Sequence, residues 1–215
     1  MLRSLFSDPI ALVYRLIAVV VALSFHEWGH AYAANKLGDP TARMMGRMTI
    51  NPFKHLDPIG FICMVLVGFG WAKPVPINPN NFKKPRRDEI IVSLAGVGTN
   101  FLMAAAVMCV YMAVGTFTSF YSPGIAAFIS DFYFINLGLL VFNLIPVPPL
   151  DGYQFAKNLL IRKVSPNFFW NVERYGSLIL MVLLLSGAVS SIMTYLVNGI
   201  WGGMSWFFLQ IFSLF

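Results

Sequence analysis

The pentapeptide "HEWGH", residues 26–30, places two histidines and a glutamate at the end of the apolar run 10–23. On a helix, residues four apart face the same side, so the imidazoles of His26 and His30 can bind a single metal ion. Glu27 is close enough to act as a general base on a water bound to that ion. Ionisable side chains within an apolar segment are costly and usually functional. The pattern therefore predicts a catalytic zinc site rather than a polar helix end satisfied by its neighbours.

A catalytic zinc ion needs a third protein ligand and an open position for water. No histidine or glutamate follows the pentapeptide closely, and the remaining candidates are His55, Asp131 and Asp151. Asp151 comes after the apolar segment 125–144 and should reach the same end of the membrane as the two histidines. Asp131 lies near the opposite end of its segment. We therefore predict that His26, His30 and Asp151 bind one Zn²⁺ per chain.

The stretch before Asp151 supports this choice. Three prolines within residues 145–149 cannot sustain helical hydrogen bonding, so the backbone there should be unwound. Irregular backbone at membrane depth is tolerated only inside protein or against a wet cavity, and Gly152 allows a close approach of the chain. Zn²⁺, neutral histidines and the carboxylates of Asp151 and Glu27 also sum to zero charge, which favours burial.

The composition predicts an all-α polytopic integral membrane protein. Of the 215 residues, 58% are hydrophobic and 11% charged, whereas roughly a quarter of the residues in a soluble domain are charged. The net charge of +6 does not indicate a nucleic-acid partner, because the basic residues alternate with apolar runs. Cys63 and Cys109 lie in apolar stretches, which favours buried packing positions over a disulfide scaffold.

Four segments are long and apolar enough to span a bilayer, namely residues 10–34, 90–114, 125–144 and 175–197. The apolar stretch 59–70 is too short to cross and leads into a Gly/Pro-rich run, so we predict a re-entrant or extended segment around 59–79. The tail, residues 199–215, should lie at the interface or form a short span. The total is about four to six transmembrane helices.

We interpret the whole chain, 1–215, as a single integral-membrane domain built around the predicted zinc site. Its core is expected at roughly 10–162, with C-terminal helices within 175–215. All lysines and arginines except Arg3 and Arg15 lie in two segments, 35–89 and 145–174. By the positive-inside rule these segments are cytoplasmic, which puts the N-terminus outside and the zinc site towards the cytoplasm.

The chain resembles the site-2 protease family of intramembrane zinc metalloproteases, especially its short bacterial members without a PDZ domain. The resemblance rests on "HEWGH", "GRMTINPFKHLDPIG", "SLAGVGTN" and "FNLIPVPPLDG". It implies His26, His30 and Asp151 as metal ligands and Glu27 as the catalytic base. Asn143, eight residues before Asp151, matches a family asparagine and could donate to the oxyanion or hold the substrate backbone.

The secondary positions have competing interpretations. Asn143 could instead join two helices, as asparagines often do in membranes, and Asn100 is predicted to close a helix contact near Gly96. His55 could touch the substrate side of the site or fix a cytoplasmic loop. Val97 stands where the family commonly has proline, which affects only local geometry.

The resemblance implies hydrolysis of peptide bonds in or near the transmembrane segments of membrane-protein substrates by zinc-activated water. The partners would be a transmembrane protein or peptide and the lipid bilayer, in a bacterial inner or plasma membrane. One alternative is a catalytically inactive zinc-binding membrane module, but such a module usually lacks a ligand or the base. A second alternative, a zinc transporter, would need polar groups at several depths, and the outer halves of the predicted spans have almost none. The sequence does not predict an oligomeric state.

Overall fold

The computed structural model describes residues 8–67, 70–117 and 122–213, which are mostly helical and contain no strand. The helices, in chain order, are α1 (Pro9–Leu37), α2 (Thr41–Met44), α3 (Pro58–Val67), α4 (Pro85–Phe117), α5 (Pro123–Asn143), α6 (Asp151–Leu160), α7 (Pro166–Leu185) and α8 (Ala188–Phe212). Two short 3-10 turns, Pro52–Lys54 and Pro79–Asn81, lie in the connections.

Four of these helices, α1, α4, α5 and α7, are long and apolar enough to cross a membrane. Large apolar side chains are exposed along them, among them Ile10 at 66% and Leu185 at 81%. Exposed apolar surface of this extent is expected where a protein faces lipid. The prediction of an all-α polytopic membrane protein is confirmed.

The segment predicted around 59–79 has two described parts, separated by residues 68–69, which lie outside the described residues. Helix α3 has ten residues and is therefore about 15 Å long, half of the roughly 30 Å needed to cross the hydrocarbon core. Residues 70–78 contain no helix or turn and form one antiparallel bridge, between Ala72 and Leu56. We call residues 70–78 the extended segment.

The predicted span 175–197 is not one helix. Helix α7 ends at Leu185, α8 begins at Ala188, and Gly187 between them adopts a left-handed conformation at φ 75°. The hydrophobic run continues through this turn, so hydropathy alone does not mark it. The described part of the predicted tail, 199–213, continues α8, which packs on α4 and α5.

The core is formed by α1, α4 and α5, which pack on one another. A cluster of buried side chains joins α4 and α5 to α8, and consists of Ala104, Met108, Tyr133, Leu137 and Met204. Helix α1 contributes small residues: Ala18, Ala22, Ala31 and Ala34 are fully buried. Small residues let membrane helices approach closely, which brings the polar residues of α1 against α4.

Candidate metal centre

Helix α1 is fixed at both ends. The Asp8 carboxylate accepts hydrogen bonds from the backbone N–H groups of Ile10 and Ala11 at 3.1 and 3.0 Å, which caps the N-terminus. Gly38 ends the helix at φ 111°, a conformation that favours glycine. The "HEWGH" residues lie just past the middle of this helix, and the side chains of its histidines and glutamate are buried.

The predicted ligands His26, His30 and Asp151 meet at one point. The two Nε2 atoms are 3.1 Å apart, and Asp151 Oδ2 lies 3.1 Å from Nε2 of His26 and 3.2 Å from Nε2 of His30. The three residues form a group whose ligand atoms lie within 4.8 Å of one another. The structure therefore brings together residues from α1 and from the start of α6, of which His26 and Asp151 are 125 positions apart.

The partners of the other imidazole nitrogens determine the tautomers. His30 Nδ1 lies 2.8 Å from the carbonyl oxygen of Val92, which can only accept, so Nδ1 carries the proton. His26 Nδ1 lies 2.7 Å from Asn100 Oδ1 and donates to it in the same way. In the neutral rings both Nε2 lone pairs then face Asp151 Oδ2. Donation of the other ring N–H to an oxygen is typical of metal-ligating histidines.

A metal ion fits this donor set. Asp151 Oδ2 is buried and has no hydrogen-bond donor, and it faces two nitrogens that also offer lone pairs. Three acceptors facing one another are unfavourable without a cation between them. A Cβ at residue 96 would lie 2.4 Å from Nε2 of His30 and 2.7 Å from Cε1 of His26, so Gly96 leaves the space that the imidazoles occupy. Two imidazoles and a carboxylate are ligands that zinc accepts.

Asn100 and Asn136 form a buried network behind His26, and both are fully buried. Asn100 Nδ2 donates to the Ala22 carbonyl oxygen at 3.3 Å and to Asn136 Oδ1 at 3.0 Å. Because Nδ2 is committed to these acceptors, Oδ1 is the atom that faces His26. The predicted helix contact of Asn100 is present. The sequence did not indicate the contact of Asn100 with His26, nor any role for Asn136.

The chain before Asp151 is non-helical, as the prolines predict. Helix α5 ends at Asn143 and α6 begins at Asp151. The backbone then turns so tightly that a Cβ at Gly152 would lie 2.3 Å from the carbonyl oxygen of Leu144. The glycine is therefore required for the close approach that brings Asp151 to the histidines.

A cavity of about 460 Å³ opens beside the three ligands. It is lined by Glu27 and Asn143, by several apolar side chains, and by residues of the extended segment. Glu27 Oε2 accepts a hydrogen bond of 2.8 Å from the backbone N–H of Val75. Asn143 Nδ2 donates to the Leu139 carbonyl oxygen at 3.0 Å.

Two other candidates lie elsewhere. Asp131 pairs with Arg15, at 3.2 Å between Oδ2 and Nε, and links α5 to α1. His55 is buried, with Nε2 2.7 Å from the carbonyl oxygen of Thr49, and is not among the cavity residues. The structure thus gives His55 a place in the loop after α2, and its contact with substrate remains a prediction.

The chain resembles several known proteins. YwhC from Bacillus subtilis is 37% identical over 195 residues, covering 88% of this chain and 89% of the relative. Rip2 from Mycolicibacterium smegmatis is 29% identical over 198 residues, covering 85% and 72%. MJ0392 from Methanocaldococcus jannaschii is 24% identical over 193 residues, covering 87% and 46%. The names of all three contain the words zinc metalloprotease.

No solved structure matches the chain significantly. The sequence profile of peptidase family M50 matches residues 14–186, which include most of α1, all of α4 and α5, and the complete candidate metal centre. On this match, and on its similarity to YwhC, the chain belongs to peptidase family M50, the site-2 protease family.

Proposed function

We propose that this protein is an intramembrane zinc metalloprotease that hydrolyses peptide bonds in or near the transmembrane segments of membrane-protein substrates. The observation that carries the proposal is the convergence of acceptor atoms from His26, His30 and Asp151 beside Glu27. Membership of a peptidase family and relatives named as zinc metalloproteases support this chemistry. The apolar spans support a site within the membrane.

We propose that His26, His30 and Asp151 hold one zinc ion per chain. Bound there, zinc would polarise the scissile carbonyl and lower the pKa of water towards neutrality. The carboxylates of Asp151 and Glu27 together balance its charge when the histidines are neutral. A neutral site has the smallest desolvation cost at this depth.

Glu27 acts as the general base in this proposal. Its carboxylate takes a proton from the attacking water and later delivers a proton to the leaving amine nitrogen. The burial of Glu27 at 8% exposure removes competing bulk water, and its place on the cavity wall gives it access to a substrate.

Asn143 can donate to the substrate. An asparagine amide has two N–H hydrogens, and the bond to the Leu139 carbonyl oxygen uses one of them. The second can stabilise the oxyanion or hold the substrate backbone on the cavity wall. The competing role of Asn143 as a helix contact predicts unchanged turnover when the amide is replaced by an isosteric apolar group.

The substrate must unwind, because a helix hides its own carbonyl groups from the attacking water. The extended segment borders the cavity, and an unwound substrate could add to it as a strand. The distribution of lysine and arginine supports an N-terminus outside and a site near the cytoplasmic surface. The similarity to bacterial relatives supports a bacterial plasma membrane.

The proposal is tested by zinc content and cleavage of a fluorescent-protein fusion that carries one transmembrane helix, in detergent. We expect about one zinc per chain in the wild type and in Glu27→Gln, and cleavage by the wild type alone. Glu173→Gln is a matched control, because this carboxylate lies outside the cavity lining and bonds Lys157 and Tyr153.

The outcomes separate the alternatives. Zinc-loaded wild type that leaves a panel of such fusions intact would favour the inactive zinc-binding module. Equal cleavage by wild type and Glu27→Gln would remove Glu27 as the base. Wild type without stoichiometric zinc would contradict the metal site and the function built on it.

A further inference from the structure

The loop between α1 and α3 carries buried polar groups that the metal centre does not use. Asp39, Arg47 and His55 are 0%, 8% and 1% exposed, although none of them belongs to the ligand group. Burial of this kind is unfavourable unless the groups are hydrogen-bonded. Their partners show that all three residues act on the same element, the extended segment and the turn that follows it.

Asp39 fixes the C-terminal end of the extended segment. Its Oδ2 accepts a hydrogen bond of 2.7 Å from the backbone N–H of Asn78, and its Oδ1 accepts one of 2.7 Å from Asn81 Nδ2. Thr41 donates to Oδ1 through its backbone N–H and its hydroxyl. Burial opposes ionisation of Asp39, but these hydrogen bonds outweigh it and lower the pKa of the carboxyl below its ordinary value.

Arg47 and His55 fix the N-terminal end. Arg47 Nη2 donates to the carbonyl oxygens of Lys73 and Pro74 at 2.8 and 3.2 Å. The backbone carbonyl of His55 accepts a hydrogen bond of 2.7 Å from the N–H of Lys73. The imidazole of His55 in turn holds its own loop through the Thr49 carbonyl.

Between these anchors the extended segment makes one polar contact with the catalytic machinery, the 2.8 Å bond from the Val75 N–H to Glu27 Oε2. Val75 lies between Pro74 and Pro76, and proline has no backbone N–H. Val75 therefore supplies the only backbone donor of these three residues.

We propose that Asp39 and Arg47 are positioning residues that hold the extended segment so that the Val75 amide orients the carboxylate of Glu27. The bond fixes Oε2 and leaves Oε1 to receive the proton of the attacking water. This inference rests on the proposed role of Glu27 as general base. It also gives a physical reason for part of the "GRMTINPFKH" stretch, which contributes no metal ligand.

Arg47 provides the sharper test, because a matched control lies four residues earlier. Arg43 is exposed, carries the same charge, and forms no side-chain hydrogen bond or ion pair within the described residues. Both bonds of Arg47 start from one nitrogen, so a lysine ammonium can replace part of them. The variants are Arg47→Ala, Arg47→Lys and Arg43→Ala, with Asp39→Asn as a test of the other anchor.

Three quantities are measured: zinc content, amide hydrogen exchange in a peptide covering 71–78, and kcat and KM on the transmembrane-helix fusion. We expect Arg47→Ala to retain zinc, to exchange roughly 10-fold faster in this peptide, and to lose roughly 10- to 100-fold in kcat, as expected for loss of charged hydrogen bonds. The KM should change less than kcat. Arg47→Lys should recover part of the kcat loss, and Arg43→Ala should match the wild type.

Loss of zinc in Arg47→Ala, or a kcat equal to that of Arg43→Ala, would overturn the inference. Unchanged hydrogen exchange in both Arg47→Ala and Asp39→Asn would overturn it as well. Failure of the proposed function is distinguishable from failure of this inference. The wild type would then cleave no fusion, while faster exchange in Arg47→Ala would still show that Arg47 anchors the extended segment.

Discussion

The three-helix core and the C-terminal pair of helices bury different kinds of side chain. In α1, α4 and α5 the buried set includes Ser24, His26, Glu27, His30, Asp88, Ser93, Asn100 and Asn136. In the described part of the chain after residue 165, the buried residues are Phe169, Gly176, Leu180, Val189 and Met204, none of which is charged or carries an amide. The two regions meet at α8, which packs on α4 and α5.

This difference separates two tasks within one small membrane protein. Buried polar groups cost free energy unless they are paired. Most polar groups of the core are hydrogen-bonded, and these bonds orient the two imidazoles towards the Asp151 carboxylate. The pair α7 and α8 adds apolar contacts against the core and presents apolar surface outward. Substitutions in the core should therefore change metal binding, whereas substitutions in the pair should change stability.

The largest effect is expected for the ligands themselves. Replacement of His26, His30 or Asp151 by alanine should leave the proteins with far less than one zinc per chain. Loss of the Lewis acid removes several kcal/mol of transition-state stabilisation, so cleavage should fall by about 10³-fold or more. Metal analysis and cleavage assays on the purified variants measure both effects. A variant that keeps its full zinc content would show that the replaced residue is not a zinc ligand.

Gly96 and Gly98 offer a matched pair. A Cβ at residue 96 would clash with both imidazoles, whereas a Cβ at residue 98 meets nothing within 4 Å. Gly96→Ala should weaken zinc binding by about 1–3 kcal/mol, the usual cost of overpacking. Gly98→Ala should bind zinc as the wild type does. Competition with a zinc chelator gives both affinities, and equal affinities would show that Gly96 does not shape the site.

Asn100 tests whether the buried network supports the metal. Asn100→Ala removes the acceptor of the His26 Nδ1–H, and such losses typically weaken metal affinity by about 10- to 100-fold. Asn100→Asp keeps an acceptor for His26 but cannot donate to Ala22 or Asn136, so its loss should be smaller. The same chelator titration ranks the two variants, and the reverse order would place the importance of Asn100 in helix packing rather than in orienting His26.

Met204 in α8 provides the converse test. It is buried against α4 and α5 at 9% exposure, and Met204→Ala should destabilise the protein by about 2 kcal/mol through lost packing. Zinc affinity should stay within about twofold of the wild type. Unfolding in detergent and the chelator titration give the two values, and a large loss of zinc affinity would erase the distinction between the two regions.

The sequence predicts the parts of the centre that depend on local geometry. Two histidines at i and i+4 share one face of a helix whatever surrounds it, and prolines interrupt helix α5 whatever follows. The position of Asp151 was predictable from depth, because a span begins at one membrane surface and ends at the other. The grouping of Asp151 with the histidines in the structure agrees with that argument.

The missed features depend on packing. Asn100 faces His26 only because α4 lies against α1, and no spacing between residues 26 and 100 encodes that contact. The donor to Glu27 is a backbone amide, which has no residue type to recognise. The turn at Gly187 lies within a continuous apolar run, so hydropathy gave a single span where the structure has two helices.

X-ray absorption spectroscopy of the purified protein loaded with zinc tests the central claim most directly. The arrangement of His26, His30 and Asp151 predicts one zinc per chain with two imidazole ligands, oxygen ligands and no sulfur, and loss of one imidazole contribution in His30→Ala. A sulfur ligand from Cys63 or Cys109, or a spectrum unchanged by His30→Ala, would contradict the account.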